Sequence, residues 1–360
     1  MAGIENVGET CYIASCLVLL CFGMPEVAQG IVEKTHFDSE FGQQLKKVFE
    51  HLLSNQTVNP RELYDTLQDW DGNCIDTSHS GDAGSMLNWL LMQIHNLDVD
   101  CTSFEFQIQS AVYAKPKAIM EDSSEDSYSD SSESSGSCEE STDESSLDSL
   151  ESCHVHSKPK TAPRILRGLF PVSVLGHSNL LSALSHSTVI PQPVSNYKWP
   201  NHPEDCICQT FCKTQWVYEC SQQYILLQLK RFYISEGTPN KYLEQINIPL
   251  LLDMTRFHVF AEPMTSLIFH LKGVIVHAGQ EITGQEGHYF TILRHSVSTT
   301  EEKPQSSIWS VYDDGNVEQS VPMTPERLSQ FIDGGPGADL YDNENTLPQS
   351  AMILLYAKVL

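Results

Sequence analysis

Gly3-Ile4-Glu5-Asn6-Val7-Gly8-Glu9-Thr10-Cys11-Tyr12-Ile13-Ala14-Ser15 is a polar, glycine-bearing turn that runs directly into an apolar helical pattern, with a cysteine at the junction. A helix N-terminus leaves N–H groups unpaired and carries a partial positive charge, which stabilises a thiolate and an oxyanion formed beside it. Cys11 is therefore a candidate nucleophile, and Asn6, in the turn before it, is a candidate side-chain donor to the same oxyanion. A buried structural cysteine is the other reading of this segment. Cys16 and Cys21 lie deeper in the same helical pattern and read as core.

A thiolate that cleaves acyl bonds needs a base to carry its proton to the leaving group and a third group to orient that base. His288 meets the first need. It opens the strand-like run Tyr289 to Arg294, just after the loop Gly279 to Gly287. Asp313 ends the next strand-like run, Ile308 to Tyr312, and comes beside His288 if the two strands pair; Asp314 is then expected to point the other way. A cysteine near the start, followed by late histidine and aspartate on adjacent strands, is the order of papain-like thiol proteases.

The remaining pattern agrees with helices first and sheet after, the α+β arrangement. Helical spacing covers Cys11 to Phe22, Phe41 to Leu53, Pro60 to Asp69 and Asp82 to Ile94. Strand-like runs follow at Gln215 to Tyr218, Tyr224 to Phe232, Leu271 to His277, Tyr289 to Arg294, Ile308 to Tyr312 and Ala351 to Val359. Between the halves, Glu121 to Glu151 holds twelve acidic residues, thirteen serines and no Lys or Arg. Such a segment has too little apolar surface to offset the entropy of ordering, so it reads as a disordered insert. The expected organisation is one catalytic domain over 1–360: a helical part at 1–118, the acidic insert at 119–160 and a β-rich part at 161–360.

The insert does not account for the whole formal charge of −26, so the folded part is acidic as well. A chain this acidic is repelled by nucleic-acid backbones and anionic membranes and favours a basic protein partner. The longest apolar run, Cys16 to Met24, falls short of the roughly 20 residues of a membrane span. Eleven irregularly spaced cysteines without an apolar leader read as reduced thiols of an intracellular protein of the cytoplasm or nucleus.

Taken together, these blocks resemble the ubiquitin-specific protease family. Its cysteine box, G-x-x-N-x-G-N-T-C-Y-x-N-S, is matched by Gly3, Asn6, Gly8, Thr10, Cys11, Tyr12 and Ser15. Its histidine box is matched by Gly287-His288-Tyr289-Phe290, with Gly273 to Gly279 before it and Trp309 to Asp314 after. Leu229-Lys230-Arg231-Phe232, Ile248-Pro249, Leu252-Asp253-Met254 and the closing Ala351 to Tyr356 match further family strands. The resemblance implies a papain-like fold of helical thumb with β-rich palm and fingers. It also implies deubiquitinating hydrolysis after the C-terminal glycine of ubiquitin, with Cys11 as nucleophile, His288 as base, Asp313 as orienting acid and Asn6 as oxyanion donor. Asp82 would hold an arginine of the ubiquitin tail, and Gly287, His277 and Tyr289 would line the tail channel.

Glu9, Ala14 and Val18 depart from the family's cysteine box and its helix, and Ser80, Gly81 and Ser85 depart from the pattern around Asp82. Those departures leave open a ubiquitin-like modifier as substrate, or a ubiquitin-binding pseudoenzyme without turnover. The family's zinc finger uses paired C-x-x-C turns. Cys206, Cys208, Cys212 and Cys220 are the candidate ligands here, but their C-x-C-x3-C-x7-C spacing has no such knuckle, and no cofactor is expected. A partner-binding role for the serine-rich insert, where Ser123 has Asp126 three residues on, is compatible with catalysis.

Overall fold

Cys11–Val18 is an α-helix with Thr10 at its N-cap, so the cysteine occupies the first helical position, as its sequence predicts. The computed structural model describes residues 2–69, 71–116, 164–188, 192–193, 208–217, 222–259, 267–279, 287–295, 307–323, 328–329, 332–333 and 349–359. The acidic serine-rich insert and residues 280–286 lie outside them. The helix widens into a π-helical turn at Leu19–Gly23, and the chain turns by 92° into a second helix, Pro25–Glu33. Proline at a first helical turn sacrifices no intrahelical hydrogen bond, which is why a new helix starts there. Among the described residues no single helix is long and apolar enough to cross a membrane. The bent pair is apolar because Leu17, Leu20, Val27 and Ile31 are core.

Two longer helices complete the helical layer. Glu40–Leu53 is capped by Ser39, whose side chain accepts from the Gly42 N–H. Ala83–Asn96 is capped by Asp82, which accepts the Ser85 N–H at 2.7 Å. The helix predicted at Pro60 to Asp69 shrinks to Arg61–Tyr64. The expectation of a helical part reaching residue 118 needs a further correction. Glu105–Pro116 is a strand, paired antiparallel with Cys208–Val217 and Arg164–Arg167. Its two-residue alternation, Phe106-Gln107-Ile108-Gln109, carried that signal.

Among the described residues the main sheet has eight strands. Its order is Asn316–Met323, Ser307–Asp313, His288–Arg294, Ile268–Ala278, Gln349–Lys358, Tyr224–Lys230 and Phe170–Ser173, with Leu251–Asp253 added beside Ile268–Ala278. All neighbours are antiparallel except the last pair, Tyr224–Lys230 and Phe170–Ser173. Alternation along these strands sorts the core into two faces. Ile275, Tyr289, Leu293 and Ile353 meet the helices above, whereas Val274, Val276, Phe290, Ile292 and Leu354 belong to the core of the opposite face, which the short helix Leu180–Ser187 shares. Thr291 ties helix to sheet directly, its Oγ1 donating to the Ser15 carbonyl at 2.9 Å.

Arg231 is the polar keystone of this layer. Fully buried, it donates from Nε to the Ala351 carbonyl, from Nη1 to those of Tyr242 and Glu244, and from Nη2 to that of Asp333. One side chain thus ties its own strand end to three chain segments, at residues 242–244, 333 and 351.

Candidate active site

Strand pairing brings the predicted residues together. Thr291 sits opposite Tyr312 in the register of His288–Arg294 with Ser307–Asp313, which sets the start of the histidine strand beside the end of the aspartate strand. His288 Nε2 lies 2.5 Å from Asp313 Oδ1. The same imidazole hydrogen-bonds Cys11, and the Tyr289 N–H points at the Cys11 sulfur from 3.4 Å. Burial alone would lower the pKa of His288, but its hydrogen bonds to Asp313 and Cys11, and their charges, outweigh it and raise the pKa to about 10. An imidazolium held through neutral pH beside a thiol can stabilise a thiolate and later protonate a leaving amine.

Asn6 is fixed by its own turn. Its Oδ1 accepts from the Thr10 N–H at 3.2 Å and the Thr10 hydroxyl at 3.0 Å. The amide nitrogen therefore faces outward, where it donates to Asp314 Oδ2 at 3.0 Å. This corrects the expectation that Asp314 turns away. The carboxylates of Asp313 and Asp314 and a ring nitrogen of His288 all lie within 4.8 Å of one another. Asp314 takes a left-handed backbone, φ 52°, where the strand turns towards Asn316, and this swings its side chain back to Asn6. Burial and the neighbouring Asp313 hold Asp314 above the usual carboxylate range, against the opposing pull of His288 and Asn6.

The Asp314 carbonyl also accepts the Ile4 N–H at 3.1 Å. Glu5 N–H reaches the Val58 carbonyl at 3.0 Å, and Val58 N–H reaches the Gly3 carbonyl at 3.2 Å. A Cβ on Gly3 would stand 2.2 Å from the Asp314 carbonyl oxygen, so glycine is what admits this contact.

The four residues expected along a tail channel occupy different places. Asp82 stands half-buried at the N-terminus of Ala83–Asn96 as its cap. Tyr289 is buried, and its hydroxyl accepts the Ala83 N–H, docking that helix onto the histidine strand. His277 is buried opposite Tyr289, their rings 4.6 Å apart. Gly287 lies directly over His277, where an added Cβ would be 2.4 Å from Nε2. Gly287→Ala should therefore displace the segment that carries His288. The expected loss in kcat/KM is about a hundredfold with little change in thermal stability, checked by steady-state kinetics alongside a melting curve.

Of the candidate zinc ligands, Cys208 and Cys212 lie four residues apart on one continuous strand, roughly 13 Å along it. Cys206 and Cys220 lie outside the described residues. Sequence reading missed Lys241, which is buried with its Nζ 2.9 Å from His277 Nδ1. Only its place ten residues after Arg231, in an otherwise exposed hairpin, hinted at a role.

The model of the family described as ubiquitin carboxyl-terminal hydrolase matches residues 2–356. The chain belongs to that family. Two solved structures of the SAGA DUB module Ubp8/Sgf11/Sus1/Sgf73 contain chains of the same fold. In one, bound to monoubiquitin, the similar chain has a TM-score of 0.63 at 16% identity, with 100% of this chain and 69% of that one covered. In the other, bound to ubiquitin aldehyde, the TM-score is 0.64 at 16% identity, with 100% and 70% covered. No match was found among curated proteins. As a ubiquitin carboxyl-terminal hydrolase, the chain has the expected papain-like α+β fold, and the cluster described above lies where its first helix meets the main sheet.

Proposed function

We propose that this hydrolase cleaves the peptide or isopeptide bond after the C-terminal glycine of ubiquitin, through Cys11, His288 and Asp313 and a thioester intermediate. The alignment of Cys11, His288 and Asp313, with the Tyr289 N–H on the sulfur, supports this reading most strongly. The Cys11 thiolate attacks the glycine carbonyl. The oxyanion is met by the Asn6 amide hydrogen not engaged by Asp314 and by the Cys11 N–H at the helix start. His288 gives its proton to the departing amine, and water, deprotonated by the now neutral imidazole, resolves the thioester. Asp313 holds the ring throughout.

An extended glycine-ended tail suits the approach past Gly287, where a protein side chain is already excluded by His277. The acidic chain and Asp82 suit a tail that carries arginine. Zinc plays no part in these steps. The cysteines among the described residues that are free thiols, Cys11, Cys16, Cys21, Cys74, Cys101 and Cys212, fit a reducing setting such as cytoplasm or nucleus.

The test is a ubiquitin whose C-terminus ends in propargylamide. The expected result is a covalent adduct that Cys11→Ala abolishes. Binding without an adduct in the unaltered chain would make it a pseudoenzyme, and an adduct only with a ubiquitin-like probe would move the substrate to that modifier. Asn6→Ala should lower kcat by about 10²–10³ while leaving KM near its original value, as expected for a donor that acts on the oxyanion. Single-turnover kinetics check this.

A further inference from the structure

Lys241 ends the hairpin strand Thr238–Lys241, and its side chain is carried inward until the residue is only 8% exposed. The charge acting on it there is that of Arg231, which repels it. A buried ammonium without a counter-ion must be offset by hydrogen bonds. Lys241 Nζ lies 3.0 Å from the His277 carbonyl, 2.7 Å from the Gly279 carbonyl and 2.9 Å from His277 Nδ1. An ammonium has three N–H groups and no lone pair, so all three are used and Nδ1 must accept. A neutral imidazole that accepts at Nδ1 carries its hydrogen on Nε2.

His277 is neutral. Burial, Lys241 and His288 lower its pKa to about 3. Its Nε2 is the ring atom nearest the position of an added Cβ on Gly287, and no described residue is hydrogen-bonded to it. Phe232 and Tyr289 hold the ring edge-on and tilted, at centroid distances of 5.7 and 4.6 Å.

We propose that Lys241 is a positioning residue that locks His277 in its Nε2–H form, holding one imidazole donor against Gly287 for a backbone carbonyl of the substrate's C-terminal tail. This rests on the reading that such a tail passes Gly287 on its way to Cys11. Lys241 touches neither the tail nor the sulfur. It acts through His277, and the same ammonium pins the Gly279 carbonyl at the root of the segment leading to Gly287.

The charged group acting on Lys241 is Arg231, and the groups acting on His277 are Lys241 itself and His288. Burial, then Arg231, lowers the Lys241 pKa to about 7. Above that pH a neutral amine keeps two N–H groups for the two carbonyls and releases Nδ1. The advantage in KM should fade there.

The decisive measurement is a long-range proton–nitrogen correlation spectrum of the full chain labelled at histidine nitrogen, recorded at mildly acidic pH. His277 is assigned by the signal lost in His277→Asn. The expected result is His277 as the Nε2–H tautomer, with Nδ1–H appearing in Lys241→Met. An Nδ1–H or doubly protonated His277 in the unaltered chain overturns the proposal, whether or not ubiquitin is hydrolysed.

Kinetics on a ubiquitin C-terminal fluorogenic amide supply the second arm. Lys241→Met should raise KM about tenfold, the worth of one hydrogen bond, without changing kcat or the rate at which iodoacetamide alkylates Cys11. It should add nothing in a His277→Asn background. Additive losses there would mean that the lysine works through Gly279 alone and would sink the lock. Lys241→Gln serves as the second variant if the methionine form does not fold. An Nε2–H His277 in a chain that never turns over ubiquitin removes the tail as the acceptor but leaves the lock standing, so the two failures are distinguishable.

Discussion

Asp313→Asn is expected to lower kcat/KM by about 10⁴-fold, the scale on which loss of the orienting carboxylate acts in Ser-His-Asp hydrolases. The reason lies in the 2.5 Å contact between Asp313 Oδ1 and His288 Nε2. Asparagine preserves the shape but removes the charge, and its amide can donate to the ring nitrogen that should itself donate. The pH profile should change in a defined direction. Interaction with Asp313 and Cys11 raises His288 from 6.5 to about 10, so the imidazolium persists across neutral pH and activity falls on the alkaline side as it deprotonates. Without the carboxylate that limb moves to lower pH. Stability follows the same sign. A raised histidine pKa contributes stability that is fully present below 6.5 and is lost as the pH rises through about 10, so the variant is less stable in acid and neutral solution and matches the parent above that range. Steady-state kinetics and chemical denaturation across pH test both statements. An unchanged alkaline limb would remove Asp313 from its assigned role. Asp314 is the comparison, because its carboxylate engages Asn6, and Asp314→Asn keeps an oxygen there to accept.

Arg231→Met should destabilise the fold by about 3–5 kcal/mol without touching the cluster around Cys11. The guanidinium supplies the donors for the carbonyls of Ala351, Tyr242, Glu244 and Asp333. Methionine restores apolar contact but leaves those acceptors without their donor, and an unsatisfied buried acceptor costs more than a made bond contributes. Arg231→Lys should fall between, since an ammonium has three donors on a single atom and cannot reach all four carbonyls. The midpoint of urea unfolding reads this directly. A midpoint unchanged from the parent would mean that the carbonyls find water or other donors.

Much of this architecture was legible because each candidate catalytic residue coincided with a pattern boundary. Cys11 sits where a polar turn becomes a helix, and His288 and Asp313 sit where strands begin and end. The order of strands in the main sheet was not legible. Antiparallel pairing of Ile268–Ala278 with the closing strand Gln349–Lys358 joins segments whose alternation is the same as that of any other buried strand. Asp314 was misplaced because strand alternation was extended one residue too far, into a turn with positive φ. Lys241 was passed over because lysine in a hairpin reads as solvated, and only the fold brings three acceptors to its ammonium. Glu105–Pro116 was passed over because its alternation is short and polar residues fill half of it.

The backbone bond from the Ile4 N–H to the Asp314 carbonyl also sets an order of events. It links residues 310 positions apart, and the segment that presents the nucleophile is seated only when it forms. Contacts so distant in sequence form late, because a long loop must close before they contribute. A nascent chain therefore carries Cys11 without His288 and Asp313 until those residues, 277 and 302 positions further on, have been made and paired. The proposed triad is completed by the same late event that seats its first helix.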